Sequence, residues 1–274
     1  MLDPRVRRVL APNPSPFTYS GTQTHIVGTG DVAIIDPGPD LDAHIAVLLA
    51  AVEGEQVAAI LCTHTHRDHS PASRALAAAT GAPIVGCARL AGGGSGPGEG
   101  EEFDPDYAPD RVLADGERLS GPGWDLEAVA TPGHTSNHLC FALPQSRALF
   151  SGDHVMGWST SIVSPPDGDM GAYMRSLERL LGRDDAVYYP AHGPAVEDPQ
   201  NLVRDLIAHR KQREGQILRL LKEGVTAIPG MVEQMYRDID PHLHPAAARS
   251  VLAHLIDLRG QGLAVEEGST WRNL

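Results

Sequence analysis

The run Val57–Cys62 (VAAILC) is continuously apolar and of strand length, and it leads directly into Thr63-His64-Thr65-His66-Arg67-Asp68-His69. Such a run, without alternation, predicts a strand covered on both faces, which calls for neighbouring strands and a layer of helices. Residues i and i+2 of an extended chain project to one side, so His64 and His66 can reach a single ion. Pro71 opens a helix, and as the chain turns toward it Asp68 and His69 can face a second ion beside the first. Neutral imidazole with carboxylate suits zinc, with manganese and iron as alternatives. Four specified residues at about 5% abundance each arise by accident in roughly two chains per thousand of this length, so the pattern points to function.

The flanking sequence predicts the frame. Strands are expected at 23–28 and 32–36 around the Gly30-Asp31 turn, then a helix capped by Asp40 and running to Glu53. A helix from Pro71 to Thr80 and a strand at 83–85 follow. Further strands are expected at 111–113, 118–119, 125–130, 138–143, 148–150 and 186–189, with a helix from Asp169 to Leu181. Strands mixed with helices in two similar halves predict stacked sheets covered by helices. From about Pro199 the pattern becomes helical, over 202–221, 226–236 and 245–259, and 262–271 could form a hairpin. That is the order of a winged-helix module, so the expected domains are 1–198 and 199–274. The stretch 91–109 (AGGGSGPGEGEEFDPDYAP) is expected to be a surface loop, either a lid over a site or a segment without fixed structure.

Three further turns share the grammar of a strand end, a glycine and a possible ligand: Thr131-Pro132-Gly133-His134, Ser151-Gly152-Asp153-His154 and Pro190-Ala191-His192-Gly193. Their order places them along one edge of the sheets. Nearby, His154, Ser136, Asn137, Trp158 and Ser159 are candidates to touch substrate or to support the ligands, and Tyr173 and Arg175 are more distant candidates. His138 is expected to be packed or at the surface. His25, His44, His209, His242, His244 and His254 read as structural, on helices or at surface ends. Cys62, Cys87 and Cys140 are too few and too scattered for a disulfide framework and are expected as small core residues.

The net charge is -13, from 22 basic and 35 acidic residues. Residues 200–274 hold 10 of the basic and 9 of the acidic ones, which leaves a balance of -14 on the first 199. A surface this acidic disfavours phosphate backbones as partners. No apolar stretch is long enough to span a bilayer, and the N-terminus lacks the apolar core of a signal peptide, so a cytoplasmic protein without membrane partners is expected.

The four ligand-bearing segments together resemble the metallo-β-lactamase superfamily with its complete two-metal set. The resemblance implies a four-layer αββα sandwich and two divalent ions, zinc first among them. His64, His66 and His134 would hold one ion, Asp68, His69 and His192 the other, and Asp153 would bridge the pair. A narrower resemblance runs through LAPNPSPFTYSGTQTHIVG, TPGHTSNHLCF, LFSGDHVMGWSTSIVSPPDGDM, YYPAHGP and HRKQREGQIL. These segments are similar to the β-lactamase-like protein 2 branch, which pairs the hydrolase domain with a C-terminal winged-helix-like domain. The branch includes a single-strand-specific endoribonuclease, and related proteins are thioesterases acting on carrier-bound acyl chains.

The expected activity is hydrolysis by a hydroxide shared between the ions, with Asp68 and Asp153 as the catalytic carboxylates. Esters, thioesters or lactones of small or carrier-bound acyl groups are the first substrate class, and single-stranded RNA is the alternative. β-Lactam hydrolysis and a non-catalytic binding protein rank below both. His209-Arg210-Lys211-Gln212-Arg213 is the one basic cluster of the tail, expected as a solvated helix face. The chain could act as a monomer or a homodimer, the apolar face of the last helix either packing on the main domain or joining two copies.

Overall fold

The computed structural model describes residues 3–90, 103–238 and 240–274. Most of the stretch expected as a surface loop or lid, residues 91–102, lies outside them. Contacts divide the chain into two units: residues 1–131, 137–161 and 183–199 form the first, and residues 132–136, 162–182 and 200–274 the second.

In the first unit a six-stranded sheet runs, in spatial order, β1 (Val6–Leu10), β2 (Gln23–Thr29), β3 (Asp31–Ile35), β4 (Gln56–Cys62), β5 (Ile84–Gly86) and β6 (Arg111–Val112). The first three strands pair antiparallel and the rest parallel. The parallel connections carry α1 (Asp42–Ala51) and α2 (Ala72–Thr80). A second sheet contains β7 (Arg118–Gly121), β8 (Trp124–Ala130), β9 (Leu139–Leu143), β10 (Ala148–Gly152) and β11 (Val187–Pro190), ordered β11-β10-β9-β8-β7. It is antiparallel except between β10 and β11.

Alternation along β3 and β4 explains why VAAILC is apolar throughout. Ala33, Ile35, Ala59 and Leu61 face Phe141 and Phe150 of the second sheet, forming the core between the sheets. Val32, Ile34, Val57 and Ile60 point the other way, onto Leu48 of α1 and Leu76 of α2. The two-residue period slips once, where the β3–β4 register shifts between Val32 and Ala33. Strand β4 is thus buried on both faces, as its composition predicts.

Two local expectations need correction. Helix α1 begins after Leu41 with no side-chain cap, because Asp40 is exposed and backbone turns from Leu41 satisfy the first amides. Strand β1 was not foreseen: its arginines read as a polar terminus, but Arg7 reaches Ala51 O and Glu55 while Arg8 donates to Gln23 at 2.7 Å. Asp169, in contrast, caps its helix by accepting from Ala172 N at 2.7 Å.

The second unit holds α3 (Met170–Leu181), most of α4 (Pro199–Lys222), α5 (Ile228–Met235), α6 (His244–Gly260) and the hairpin β12 (Ala264–Glu267)–β13 (Thr270–Asn273). The apolar face of α6 is filled inside this unit: Val251, Leu255 and Leu258 pack with Ile217, Met231 and Trp271. The basic cluster on α4 is only partly solvated. Arg210 is buried with its guanidinium over the Tyr173 ring, and Arg213 lies over Tyr236 at 4.5 Å. Among the described residues no helix is long and apolar enough to cross a membrane.

Candidate metal centre

Strand ends deliver the candidate ligands. The turn from β4 into α2 carries His64, His66, Asp68 and His69, and it is closed by amides of His69 and Ser70 donating to His66 O. Asp153 follows β10, and His192 follows β11. As the i, i+2 spacing predicts, the rings of His64 and His66 lie together, with Nε2 of the first 2.9 Å from Nδ1 of the second.

The best-defined part of the site is a group of four side chains. His69 Nε2 is 3.3 Å from Asp68 Oδ2 and 3.5 Å from Asp153 Oδ1. His192 Nε2 is 3.1 Å from the same Asp68 oxygen and 3.4 Å from the same Asp153 oxygen. A tetrahedral zinc with ligands at about 2.0–2.1 Å sets them about 3.3 Å apart, so the donors already stand at coordination spacing. His69 Nε2 is buried and makes no directed hydrogen bond, an orphan that a metal would satisfy. The groupings Asp68–His69–His192 and His64–His69–Asp153 each place their donor atoms within 4.8 Å of one another. The residues fit a metal ion in both donor chemistry and spacing.

The charges agree with that fit. Burial opposes a charged His69, but the Asp68, Asp153 and Asp36 carboxylates overcome it and raise its pKa well above the usual value. For His192 burial is likewise outweighed, by Asp153 and by hydrogen bonds to Asp153 and Asp68, which push it up to about 10. Burial would raise the pKa of both carboxylates, yet the two imidazoles hold Asp68 and Asp153 well below the ordinary range. The pocket therefore demands positive charge.

Residues outside the candidate set hold its members in place, and several carry no signal in the sequence. Asp36, at the end of β3, accepts from Thr63 N at 2.8 Å and from Thr63 Oγ1 at 3.0 and 2.9 Å. Its Oδ2 also lies 3.1 Å from His69 Nδ1, a nitrogen that, like Nε2, makes no directed hydrogen bond, so the carboxylate acts on the ring through its charge. Asp36 adopts a left-handed φ of 49°, a conformation that no sequence signal marks. Thr22 donates to Asp68 Oδ2 at 3.2 Å, and Gly21 O is 3.4 Å from His192 Nδ1. Phe103 stacks on His66 with centroids 4.7 Å apart, so the described end of the 91–109 stretch is packed against the site. His138 is buried: its Nε2 accepts the Asp153 amide at 3.2 Å and its Nδ1 meets Thr131 Oγ1 at 2.8 Å.

The remaining candidates divide by burial. His154 is fully buried, with its ring centroid 6.0 Å from that of His138. Asn137 ties loops together through Ala88 O at 2.7 Å and Thr65 Oγ1. Trp158 and Ser159 are exposed, and Trp158 stacks on Tyr19. In the second unit, Ser136 donates from N and Oγ to Asp167 at 2.8 and 2.6 Å, Tyr173 is buried and Arg175 is exposed. His134, also in the second unit, lies between β8 and β9 with Nδ1 2.6 Å from Ile162 O, a tautomer that presents Nε2 as the ligand atom. The histidines read as structural include three buried ones: His25 sits on β2 rather than at a surface end, His44 on α1 and His254 on α6. All three cysteines are buried and free.

Residues 19–192 match the metallo-beta-lactamase superfamily, and the chain belongs to that superfamily. Residues 228–271 match the beta-lactamase associated winged helix domain. A beta-lactamase-like protein 2 homolog of Drosophila melanogaster is 32% identical over 269 residues, spanning 94% of this chain and 88% of its own. An atrochrysone carboxyl ACP thioesterase of Aspergillus fumigatus is 33% identical over 226 residues, spanning 81% of this chain and 66% of its own. The fold is that of a metallo-beta-lactamase family protein of Thermus thermophilus, with a TM-score of 0.80 over all of both chains at 23% identity. The chain is a metal-dependent hydrolase of this superfamily, with its α/β fold and a C-terminal winged helix.

Proposed function

We propose that the chain hydrolyses a thioester, ester or lactone bond of a small or carrier-bound acyl substrate, using two zinc ions. In this reading His64, His66 and His134 would hold one ion, Asp68, His69 and His192 would hold the other, and Asp153 would serve both. The observation that carries it is the group of two imidazole nitrogens and two carboxylate oxygens spaced 3.1–3.5 Å apart. Bound zinc supplies Lewis acidity toward a carbonyl oxygen and makes water acidic enough to attack at neutral pH; manganese and iron suit the same donors.

The chain's own residues do the rest. Asp68 keeps 26% of its side chain exposed, so it meets solvent and can orient an attacking water by accepting a hydrogen bond from it. The Thr22 hydroxyl donates to Oδ2 of that carboxylate, the oxygen that also faces His69 and His192. The backbone that carries Asp153 is anchored by its amide, which donates to His138 Nε2 at 3.2 Å. A thioester is favoured by the acyl-carrier thioesterase among the relatives. RNA is disfavoured by the acidic first 199 residues and by the two tail arginines engaged with aromatic rings.

The test is to strip the protein with a chelator, reload it with Zn2+, and assay a thioester, a lactone and a labelled single-stranded RNA. Thioester turnover should vanish on stripping and return on reloading. Cleavage of RNA with both acyl substrates left intact would move the activity to phosphodiesters. Undiminished turnover by stripped protein would remove the metals from the chemistry.

A further inference from the structure

Of the three tryptophans, Trp124 and Trp271 are buried at 2% and 3% exposure, whereas Trp158 is 38% exposed. Its indole stacks on Tyr19, itself 52% exposed, with centroids 5.0 Å apart and planes 23° from parallel. Two large rings held together in solvent leave apolar faces that water would rather not wet. Tyr19 also adopts φ 58°, a conformation that bulky side chains rarely take. The loop around it enforces that geometry: Ser15 Oγ accepts the amides of Phe17 and Thr18 at 3.1 and 3.0 Å, and Gly21 N donates to Thr18 O at 2.9 Å. Backbone strain that the surroundings hold in place motivates a search for function.

The pair stands on the two segments that support the candidate ligands. Tyr19 precedes Gly21, whose carbonyl lies by His192, and Thr22, which donates to Asp68. Trp158 lies on Gly193, the residue after His192: a Cβ at Gly193 would come within 2.9 and 3.0 Å of the indole Cδ1 and Cβ. Gly157 N, next to Trp158, donates to His192 O at 3.1 Å. The imidazoles form a row, His66–His64–His69–His192, with centroid separations of 4.7, 4.0 and 5.3 Å. Phe103 is stacked on His66, and Trp158 packs on Gly193, the residue that follows His192 in the chain.

We propose that the Tyr19–Trp158 stack is the binding platform for a planar, unsaturated acyl group, and so a determinant of substrate choice. This rests on the thioesterase reading above. A π-surface favours a flat, polarisable group over a saturated chain of equal area, because ring stacking adds to simple burial. A nucleobase could stack on the same rings, but the acidic balance of the first 199 residues opposes the phosphates it would bring. The bland alternative is that the two rings only shield the 13–22 loop.

The test uses protein loaded with Zn2+ and two non-hydrolysable thioethers of N-acetylcysteamine, S-(2-naphthylmethyl) and S-octyl. Binding is read by calorimetry and by protection of the iodide-quenchable tryptophan emission, which in this chain comes from the exposed Trp158. Trp158→Ala should weaken the naphthyl ligand about tenfold and the octyl ligand less than threefold, and Trp158→Phe should restore most of the loss. Tyr19→Asn, which tolerates the left-handed backbone, should give a similar selective loss without unfolding the loop. Equal losses for both ligands, or no loss, would overturn the proposal, as would tighter Trp158-dependent binding of adenylate than of the naphthyl ligand. A lower melting temperature with unchanged ligand selectivity would leave only the shielding role. Selective naphthyl binding without any thioester turnover would retire the thioesterase reading while keeping the platform; turnover indifferent to Trp158 would do the reverse.

Discussion

Replacing Asp36 by Asn tests whether the centre depends on a residue that binds no ion. One carboxylate oxygen accepts from Thr63 N at 2.8 Å, and the other faces both Thr63 Oγ1 at 2.9 Å and His69 Nδ1 at 3.1 Å. An asparagine amide has two orientations. With its oxygen toward Thr63 N, its NH2 group confronts His69 Nδ1, which must become an acceptor; the ring proton then moves to Nε2, the atom that faces Asp68 and Asp153. With the amide reversed, two donors meet at Thr63 N, leaving buried groups unpaired at about 1–3 kcal/mol. Either orientation sets metal binding against a tautomer or a lost hydrogen bond, and loss of such a partner typically lowers metal affinity 10–100-fold. The expected result is a Zn2+ affinity weaker by about 1.4–2.7 kcal/mol, measured by competition with a chromophoric chelator, with circular dichroism confirming the fold. A folded Asp36→Asn protein that binds Zn2+ as tightly as the parent would refute the argument that the Asp36 carboxylate supports the His69 ring.

Gly152 has φ 51°, and a Cβ there would lie 2.7 Å from His138 Nε2 and 2.8 Å from Thr63 Oγ1. Gly152→Ala should therefore cost about 2 kcal/mol or more in urea unfolding and displace Asp153; a variant as stable as the parent would show that this turn is soft. Burial, aided by the Arg8 charge, lowers the His25 pKa from 6.5 to about 3. A depressed histidine pKa gives stability that is complete above pH 6.5 and lost as the unfolded chain takes up its proton. About 2 kcal/mol should disappear between pH 7 and pH 5, and in His25→Phe that part of the loss should be absent. Stripping the metals should lower the melting temperature, since free zinc at a thousandfold excess over its dissociation constant adds about 4 kcal/mol per site; an unchanged melting curve would argue against a structural contribution from the ions.

The candidate metal-binding side chains were legible in the sequence and the residues packed around them were not, for a physical reason. His64, His66, Asp68 and His69 are concentrated in one turn, and Asp153 and His192 each follow an apolar strand and a glycine or alanine, so the segments single themselves out when taken together. Asp36, His138, Thr22 and Gly21 act across strand pairings whose partners are remote in sequence, as with Asp36 and Thr63 at a separation of 27. Nothing local distinguishes Asp36-Pro37-Gly38 from an ordinary turn. Strand β4 was recognisable because burial on both faces leaves a run without polar residues, whereas β1 was hidden by the arginines that grip Glu55 and Gln23. The basic cluster on α4 misled for a similar reason. A guanidinium over an aromatic ring has the same composition as one in solvent, and only packing tells them apart.

The charges around His69 also bear on how many ions the site needs. Three carboxylates, those of Asp36, Asp68 and Asp153, lie 3.1, 3.3 and 3.5 Å from its nitrogens. If His69 and His192 both carried protons, the group would still hold one net negative charge, which repels the electron-rich oxygen of any acyl substrate. A single divalent ion with neutral imidazoles leaves the same deficit. Two divalent ions would bring it to one net positive charge, or to neutrality with an attacking hydroxide bound, and either removes the repulsion of a carbonyl oxygen that gathers electron density in the transition state. A pocket this rich in buried carboxylate would therefore match two divalent cations better than one.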